Sequence, residues 1–201
     1  MTEKIDKRIV KTTKNIKRVL VELMDEEGFK NVTVRQIVNR AKINRGTFYL
    51  HYKDKFDLLE QLEKDLLEAL MVVINATPHQ EINENQIHWE NLYDWFNQFT
   101  QYVFKQGKLF TLLQSEKGDP SFDRKFYKIC ELVWQKHQLT ARLSIPQNYA
   151  LTALISMTSG LMLEWVNSGF KETPEEFTEI LMKLVQGIPN NILINDGSNK
   201  N

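Results

Sequence analysis

The stretch KINRGTFYLHYKDK, residues 42–55, gathers Arg45, Thr47, Tyr49, His51, Lys53 and Lys55. All of these side chains donate hydrogen bonds to phosphate or to base edges. Arg45 brings a rigid fork of donors, the lysines bring point charges, and Thr47 and Tyr49 bring hydroxyls. The chemistry open to such a set is the gripping of a polyanion. Gly46 stands among them where a helix should begin, although glycine inside a helix costs roughly 1 kcal/mol relative to alanine. Two readings account for it: without a Cβ the helix start presses close to DNA and offers N–H groups to a phosphate, or a first-turn glycine simply fits the turn.

The charge distribution supports a polyanion partner. The 201-residue chain has 26 basic and 26 acidic residues, yet residues 1–55 hold fourteen Lys and Arg against seven Asp and Glu, so the remainder carries a matching acidic surplus. A basic N-terminal module on an acidic body is the electrostatic footprint of a nucleic-acid binder; the plainer alternative is a charged segment that keeps the protein soluble.

The elements that must position these groups are helical. Ile9, Ile16, Val19, Leu20, Leu23 and Met24 recur at helical spacing up to Gly28, with Lys4, Lys7, Lys11, Lys14 and Arg18 as a basic stripe on another side. Thr33 with Gln36 reads as a capping box that opens a second helix ending near Ala41. Asn44 is the expected N-cap of a third, with Phe48 and Tyr52 on its buried side, and Asp54 starts a fourth that runs through Leu59, Leu62, Leu66, Leu70 and Val73 to about Ala76. Five more follow: one lined by Trp89, Leu92, Tyr93, Phe96, Phe99 and Val103; a short one with Leu109, Phe110 and Leu113; one with Phe122, Phe126, Ile129, Cys130, Val133 and His137; one opened by Ser144 and Gln147 and stopped at Gly169; and one opened by Thr173-Pro174-Glu175-Glu176 and ending at Gly187. No segment alternates apolar and polar residues, so the expected fold is all-α with about nine helices.

Only about three residues, Lys42-Ile43-Asn44, join the second and third helices. That is the spacing of a helix-turn-helix whose second member enters the major groove of DNA. With Phe48 and Tyr52 turned inward, a helical wheel sends Gly46 and Leu50 outward and puts Thr47 and Tyr49 on the flanks. Arg45 is nearer the buried side by angle, and from the first turn its long side chain reaches a base, grips a phosphate or folds back. Lys55 lies in the first turn of the fourth helix, against the helix dipole. That placement suggests an external anion, although Asp54 and Asp57 beside it also neutralise it.

Residues 28–62, GFKNVTVRQIVNRAKINRGTFYLHYKDKFDLLEQL, resemble the DNA-binding segment of the TetR-type (tetracycline-repressor-like) transcriptional regulators. The matching features are the glycine-aromatic end of the first helix, Thr33-Val34, Ile37, the Ala41 turn, Gly46-Thr47-Phe48-Tyr49, Tyr52 and Lys53-Asp54-Lys55. The resemblance implies that Thr33, Arg35, Tyr49, His51 and Lys55 touch the DNA backbone, while Arg45, Gly46, Thr47 and Leu50 lie toward the bases. Asn44 stands where the family often has serine and keeps the cap, among the DNA-facing residues. Leu50 stands where a polar or basic residue is common, which favours apolar contact with a thymine methyl.

The resemblance also implies a body of five or six further helices. Residues 160–181 resemble the last two helices of a subset of these regulators, which pair with their copies in a four-helix dimer interface. Residues of about 148–186 would form it here, with Ser156 and Gly160 allowing close approach. Trp89, Tyr93, Phe96, Phe99, Trp134, His137, Met157 and Trp165 are then the candidates for a pocket holding a small apolar or cationic effector. Plain core is the alternative for each, since aromatics at helical spacing usually fill interiors.

The expected organisation is a DNA-binding domain at 1–55, an effector-binding and dimerisation domain at 56–189 and a frayed tail at 190–201. The expected function is a homodimeric repressor released from a palindromic operator by a small molecule; the alternative is a regulator controlled by a partner protein. No catalytic motif, phosphate-cradling loop or metal-ligand spacing is present in the sequence, so neither enzymatic activity nor a cofactor is expected. With one cysteine and no signal peptide or membrane-spanning run read from the sequence, the expectation is a cytoplasmic protein with no membrane partner.

Overall fold

The structure, a computed structural model, describes residues 7–76, 89–136 and 145–192. Among the described residues there are nine helices and no strand: α1 (Lys7–Glu27), α2 (Val34–Ala41), α3 (Arg45–His51), α4 (Lys55–Ala76), α5 (Trp89–Lys105), α6 (Gly107–Gln114), α7 (Phe122–Lys136), α8 (Gln147–Asn167) and α9 (Pro174–Ile192). The expected all-α class and helix order are what the chain adopts. It divides into two compact units, residues 1–68 with 108–122, and residues 69–107 with 123–201. The first unit therefore takes in most of α6, which is distant in sequence.

In the first unit, α1 buries Ile16, Val19, Leu20, Leu23 and Met24. Gly28, at φ 79°, ends the helix in the left-handed conformation that glycine adopts most readily. Ile9, expected inward, is exposed together with Val10, because the first turns of α1 extend past the part that packs. Thr33 and Gln36 form the expected reciprocal capping box at the start of α2. The helix closes at Lys42, at φ 55°, where the N–H groups of Lys42 and Ile43 donate to the carbonyls of Asn39 (3.2 Å) and Val38 (3.1 Å). Asn15 of α1 donates to the Ala41 carbonyl at 2.9 Å and holds this turn in place.

The α3 helix starts after Asn44 in extended conformation, but the Asn44 side chain makes no capping hydrogen bond; it occupies the cap position by backbone geometry alone. Phe48 and Tyr52 are buried as expected. The Asp54 carboxylate accepts from the N–H groups of Phe56 (2.8 Å) and Asp57 (2.9 Å), which caps α4.

In the second unit, α5 packs on α9 and α8 on α9. At the α5–α9 contact the Thr100 and Thr178 hydroxyls share a 2.8 Å hydrogen bond inside the core. Thr173 and Glu176 cap α9 as the sequence suggests, with bonds of 2.8 and 3.2 Å. Two boundaries differ from expectation. The α8 helix begins at Gln147 behind Pro146, because Ile145, preceding a proline, is biased away from helical angles; Ser144 lies outside the described residues. The α9 helix passes Gly187 and reaches Ile192, since a glycine of ordinary backbone conformation weakens a helix without ending it. Of the tail, residues 190–192 belong to α9 and 193–201 lie outside the described residues. Cys130 is buried, and desolvation pushes its thiol up to about 12, as befits a core residue.

Candidate nucleic-acid interface

The α3 helix has two dissimilar faces. Its inner face is Phe48, with no exposed surface, followed by Tyr52, 4% exposed, their rings 5.7 Å apart. Burial and the negative charges of Asp65 and Asp57 push the Tyr52 phenol up to about 12, so it stays neutral. With this face sealed, the opposite one is set outward. Asn44, Arg45, Gly46, Tyr49 and Leu50 are exposed, and Thr47 and His51 are half-buried at the flanks. Leu50 is 83% exposed. A Cβ built on Gly46 meets nothing within 4 Å, so the fold itself does not require glycine there.

The direction of Arg45, ambiguous on a helical wheel, follows from its neighbour one turn on. Its guanidinium lies 5.6 Å from the Tyr49 ring centroid and donates to the Tyr49 hydroxyl at 3.2 Å. Arg45 is held along the exposed side of α3, and cation–π attraction at such exposed sites contributes on the order of 0.5–1 kcal/mol. Tyr49 in turn sits edge-on to the buried Phe48 at 5.4 Å, which anchors the pair to the core.

At α2, Thr33 and Arg35 are exposed at the helix start, but the Thr33 hydroxyl is engaged with Gln36, donating to its Oε1 at 2.6 Å and accepting from its N–H at 3.3 Å. Gln36 is itself tied to Glu27 of α1 at 2.6 Å. Arg35, Lys42 and Lys53 have no ion-pair partner among the described residues, whereas Arg40 pairs with Glu26 and Arg18 with Glu22. The Arg40–Glu26 hydrogen bond lowers the Glu26 carboxyl below its usual range and raises the arginine, although both are exposed.

Lys55 differs from the rest of the set. Its Nζ lies 3.0 Å from the carbonyl oxygens of Phe29 and Lys30 and 2.7 Å from that of Val32. An ammonium has three hydrogens to donate, and three acceptors surround it here. The Phe29 and Phe56 rings flank it at 4.8 and 5.4 Å, and burial pulls its pKa below the ordinary lysine value. Sequence reasoning missed these acceptors, since nothing in the residues near 55 points to carbonyls at 29–32. It also missed Lys117, whose carbonyl accepts from Phe29 N–H at 2.8 Å and whose ammonium reaches the Asp25 carbonyl.

The candidate effector residues fall into two groups within the second unit. Phe96 and Trp134 are 6.1 Å apart and Phe99 stacks on Phe126 at 6.1 Å, with Trp95 beside both Phe96 and Phe99. The Trp134 indole donates to Thr158 at 3.1 Å, next to the half-buried Met157. Trp165 belongs to another cluster: it stacks on Phe177 at 4.3 Å, meets Phe170 at 4.9 Å and donates to the Glu172 carbonyl at 3.0 Å. Tyr93 is half-buried, while the Trp89 side chain and His137 lie outside the described residues. An open groove of about 590 Å³ runs along Val73, Asn97, Gln98, Gln101, Tyr102, Phe104 and Lys105, residues not singled out in sequence apart from Val73.

Two family models match parts of the chain. Residues 18–62 match the family described as "Bacterial regulatory proteins, tetR family", and residues 90–187 match "Transcriptional regulator C-terminal region". The chain is 23% identical over 180 residues to the uncharacterized HTH-type transcriptional regulator YxbF of Bacillus subtilis, covering 85% of this chain and 43% of that protein; it thus spans less than half the length of this relative. In fold it is similar to NalD, the secondary repressor of the MexAB-OprM multidrug efflux pump in Pseudomonas aeruginosa, with TM-score 0.63, 20% identity and coverage of 93% and 99% of the two chains. It is also similar to the dihydroxyacetone kinase operon activator DhaS, with TM-score 0.63, 16% identity and coverage of 92% and 99%.

Proposed function

Since the chain belongs to the tetR family of bacterial regulatory proteins, we propose that it is a cytoplasmic, DNA-binding transcriptional regulator that acts as a homodimer on a palindromic operator. The observation that carries this reading is the two-faced α3 helix: Phe48 and Tyr52 lock it to the core while Arg45, Gly46, Tyr49 and Leu50 face outward. A helix held in this way matches the width of the major groove. Arg45 paired with Tyr49 serves the groove edge, Arg35, Lys42 and Lys53 supply charge toward phosphates, and Leu50 offers an apolar surface to a thymine methyl. The test is binding to duplexes selected from a random pool. Affinity should fall steeply with salt through counterion release, and Tyr49→Ala should weaken it; salt-insensitive binding, or none, sinks the reading.

The homodimer part of the proposal draws on α8 and α9. By length and composition alone α8 is apolar enough to cross a membrane, yet a large share of it is buried within the protein and it packs on α9. Ser156 and Gly160 lie on its exposed side, with open space around a Cβ at Gly160. Tyr149, Ile180 and Leu184 are exposed apolar residues on the same two helices. A second copy laid against them buries this surface in a four-helix contact. Sedimentation should give a dimer, and Gly160→Arg should give a monomer.

Repression relieved by a small molecule in the second unit completes the proposal. The ligand must bind the DNA-incompetent state better, and by linkage DNA then weakens the ligand equally. The fold alone does not choose the sign, since the similar folds include one protein described as a repressor and one as an activator. Control by a partner protein is the second reading, favoured by one observation: the candidate aromatics pack on each other, with the Trp134 and Trp165 indoles already hydrogen-bonded. A small apolar or cationic compound that raises the melting temperature and releases DNA favours the first reading; the lack of any such compound across a broad panel favours the second.

A further inference from the structure

We infer that Lys55 serves DNA binding as a positioning residue that staples the two ends of the helix-turn-helix together, and not as a ligand of phosphate. The inference rests on the DNA-binding reading above and assigns a role within that site. Its basis is the geometry around one nitrogen. The turn that follows Gly28 folds back on itself, with Asn31 N–H on the Gly28 carbonyl (3.0 Å) and Val32 N–H on the Phe29 carbonyl (3.2 Å). This leaves the carbonyls of Phe29, Lys30 and Val32 converging on one point, and Lys55 Nζ occupies that point.

The acceptors are 23 to 26 residues away in sequence, and what lies between them and Lys55 is α2, its turn and α3. Val32 is directly followed by Thr33, the cap of α2, and Lys55 is three residues past Tyr52, the end of α3. The ammonium therefore closes the segment into a ring. A helix pair anchored at both ends presents α3 at one angle; without the Lys55 tie it is held by the buried Phe48 and Tyr52 and by the Asn15 bond to the Ala41 carbonyl, which fix that angle less closely. The cation at the positive end of α4 also finds its compensation here, in three carbonyl dipoles, so its position does not call for an external anion.

The two roles differ in salt dependence. For a selected duplex, loss of a phosphate contact lowers the slope of log K against log salt by about one, whereas loss of a positioning contact lowers affinity at unchanged slope. For Lys55→Met in the full chain, measured where both proteins are folded, we expect affinity to drop about tenfold or more, the equivalent of one charge-assisted hydrogen bond, with the wild-type slope retained. Lys55→Arg should not rescue it, because a planar fork cannot aim three donors from a single atom. In the wild-type protein the Lys55 ammonium should give a 15N resonance protected from solvent exchange, and it should stay in place when the duplex is added, a readout that holds even if the variants fold poorly. A slope lower by about one in Lys55→Met, full rescue by arginine, or loss of the protected resonance on DNA binding overturns the inference. A wild-type protein that binds no duplex overturns instead the DNA-binding reading itself.

Discussion

Replacing Gly46 with alanine separates what the fold needs from what a partner needs. Gly46 is the second residue of α3, its backbone is not left-handed, and a Cβ there meets no atom within 4 Å. Nothing inside the protein opposes the methyl group. Alanine loses less backbone entropy on folding than glycine, so Gly46→Ala should stabilise the chain by roughly 0.5–1 kcal/mol, or somewhat less in the first turn of a helix. At this chain length that is a rise in melting temperature of about 2–4 °C for each kcal/mol. DNA binding should move the other way. If α3 approaches a groove wall most closely at Gly46, the added methyl separates the surfaces and costs about 1–3 kcal/mol, the scale of one mismatched base pair. Thermal unfolding and fluorescence titration of a selected duplex, run on the same preparations, read both effects. A destabilised variant would mean that the fold requires the glycine after all. Unchanged affinity would mean that Gly46 is not the point of close approach, and either result refutes the reasoning.

Three other perturbations test the same structure. Gly118→Ala should lower stability by about 1–3 kcal/mol in urea unfolding, because a Cβ there lands on the backbone carbonyls of Leu112 and Leu113, which have little room to shift. Lys42→Gly should raise the melting temperature, since a non-glycine residue at φ 55° carries about 1–2 kcal/mol of strain that glycine does not. The pH dependence of stability should show Tyr52 at alkaline pH: its folded pKa is raised from 10.0 to about 12, so its contribution is fully present below pH 10 and is lost as pH rises toward 12. Tyr52→Phe should flatten that part of the unfolding profile, and a profile as steep as that of the wild type would count against the buried phenol.

Much of this molecule is written in short-range pattern. The Thr33–Gln36 box, the left-handed stop at Gly28, the Asp54 cap and the Thr173–Glu176 box all depend on residues within four of each other, and each appears where the sequence places it. The inward assignment of Phe48 and Tyr52, and the outward one of Gly46 and Leu50, follow from the same periodicity. Boundaries were less legible. Ser144 and Gly187 look like start and stop signals, but a proline at 146 and a helical backbone at 187 decide the ends of α8 and α9.

The sequence by itself determined the helices, the helix-turn-helix and which face of α3 is apolar, because helix periodicity and capping act between neighbours along the chain. Tertiary structure decided which polar groups remain available to a partner. Lys55 looked available for phosphate until the fold brought three carbonyls from 23 to 26 residues away to its ammonium. The direction of Arg45 came from the ring it rests on. Packing also sorted the aromatics, putting Phe96 with Trp134 and Trp165 with Phe177, and it brought residues 108–122 into the first unit, where Lys117 reaches Asp25 across 92 positions of sequence. A residue's chemical type states which bonds it is able to make. Only the folded chain, by bringing distant backbone within about 3 Å, settles which of them it makes.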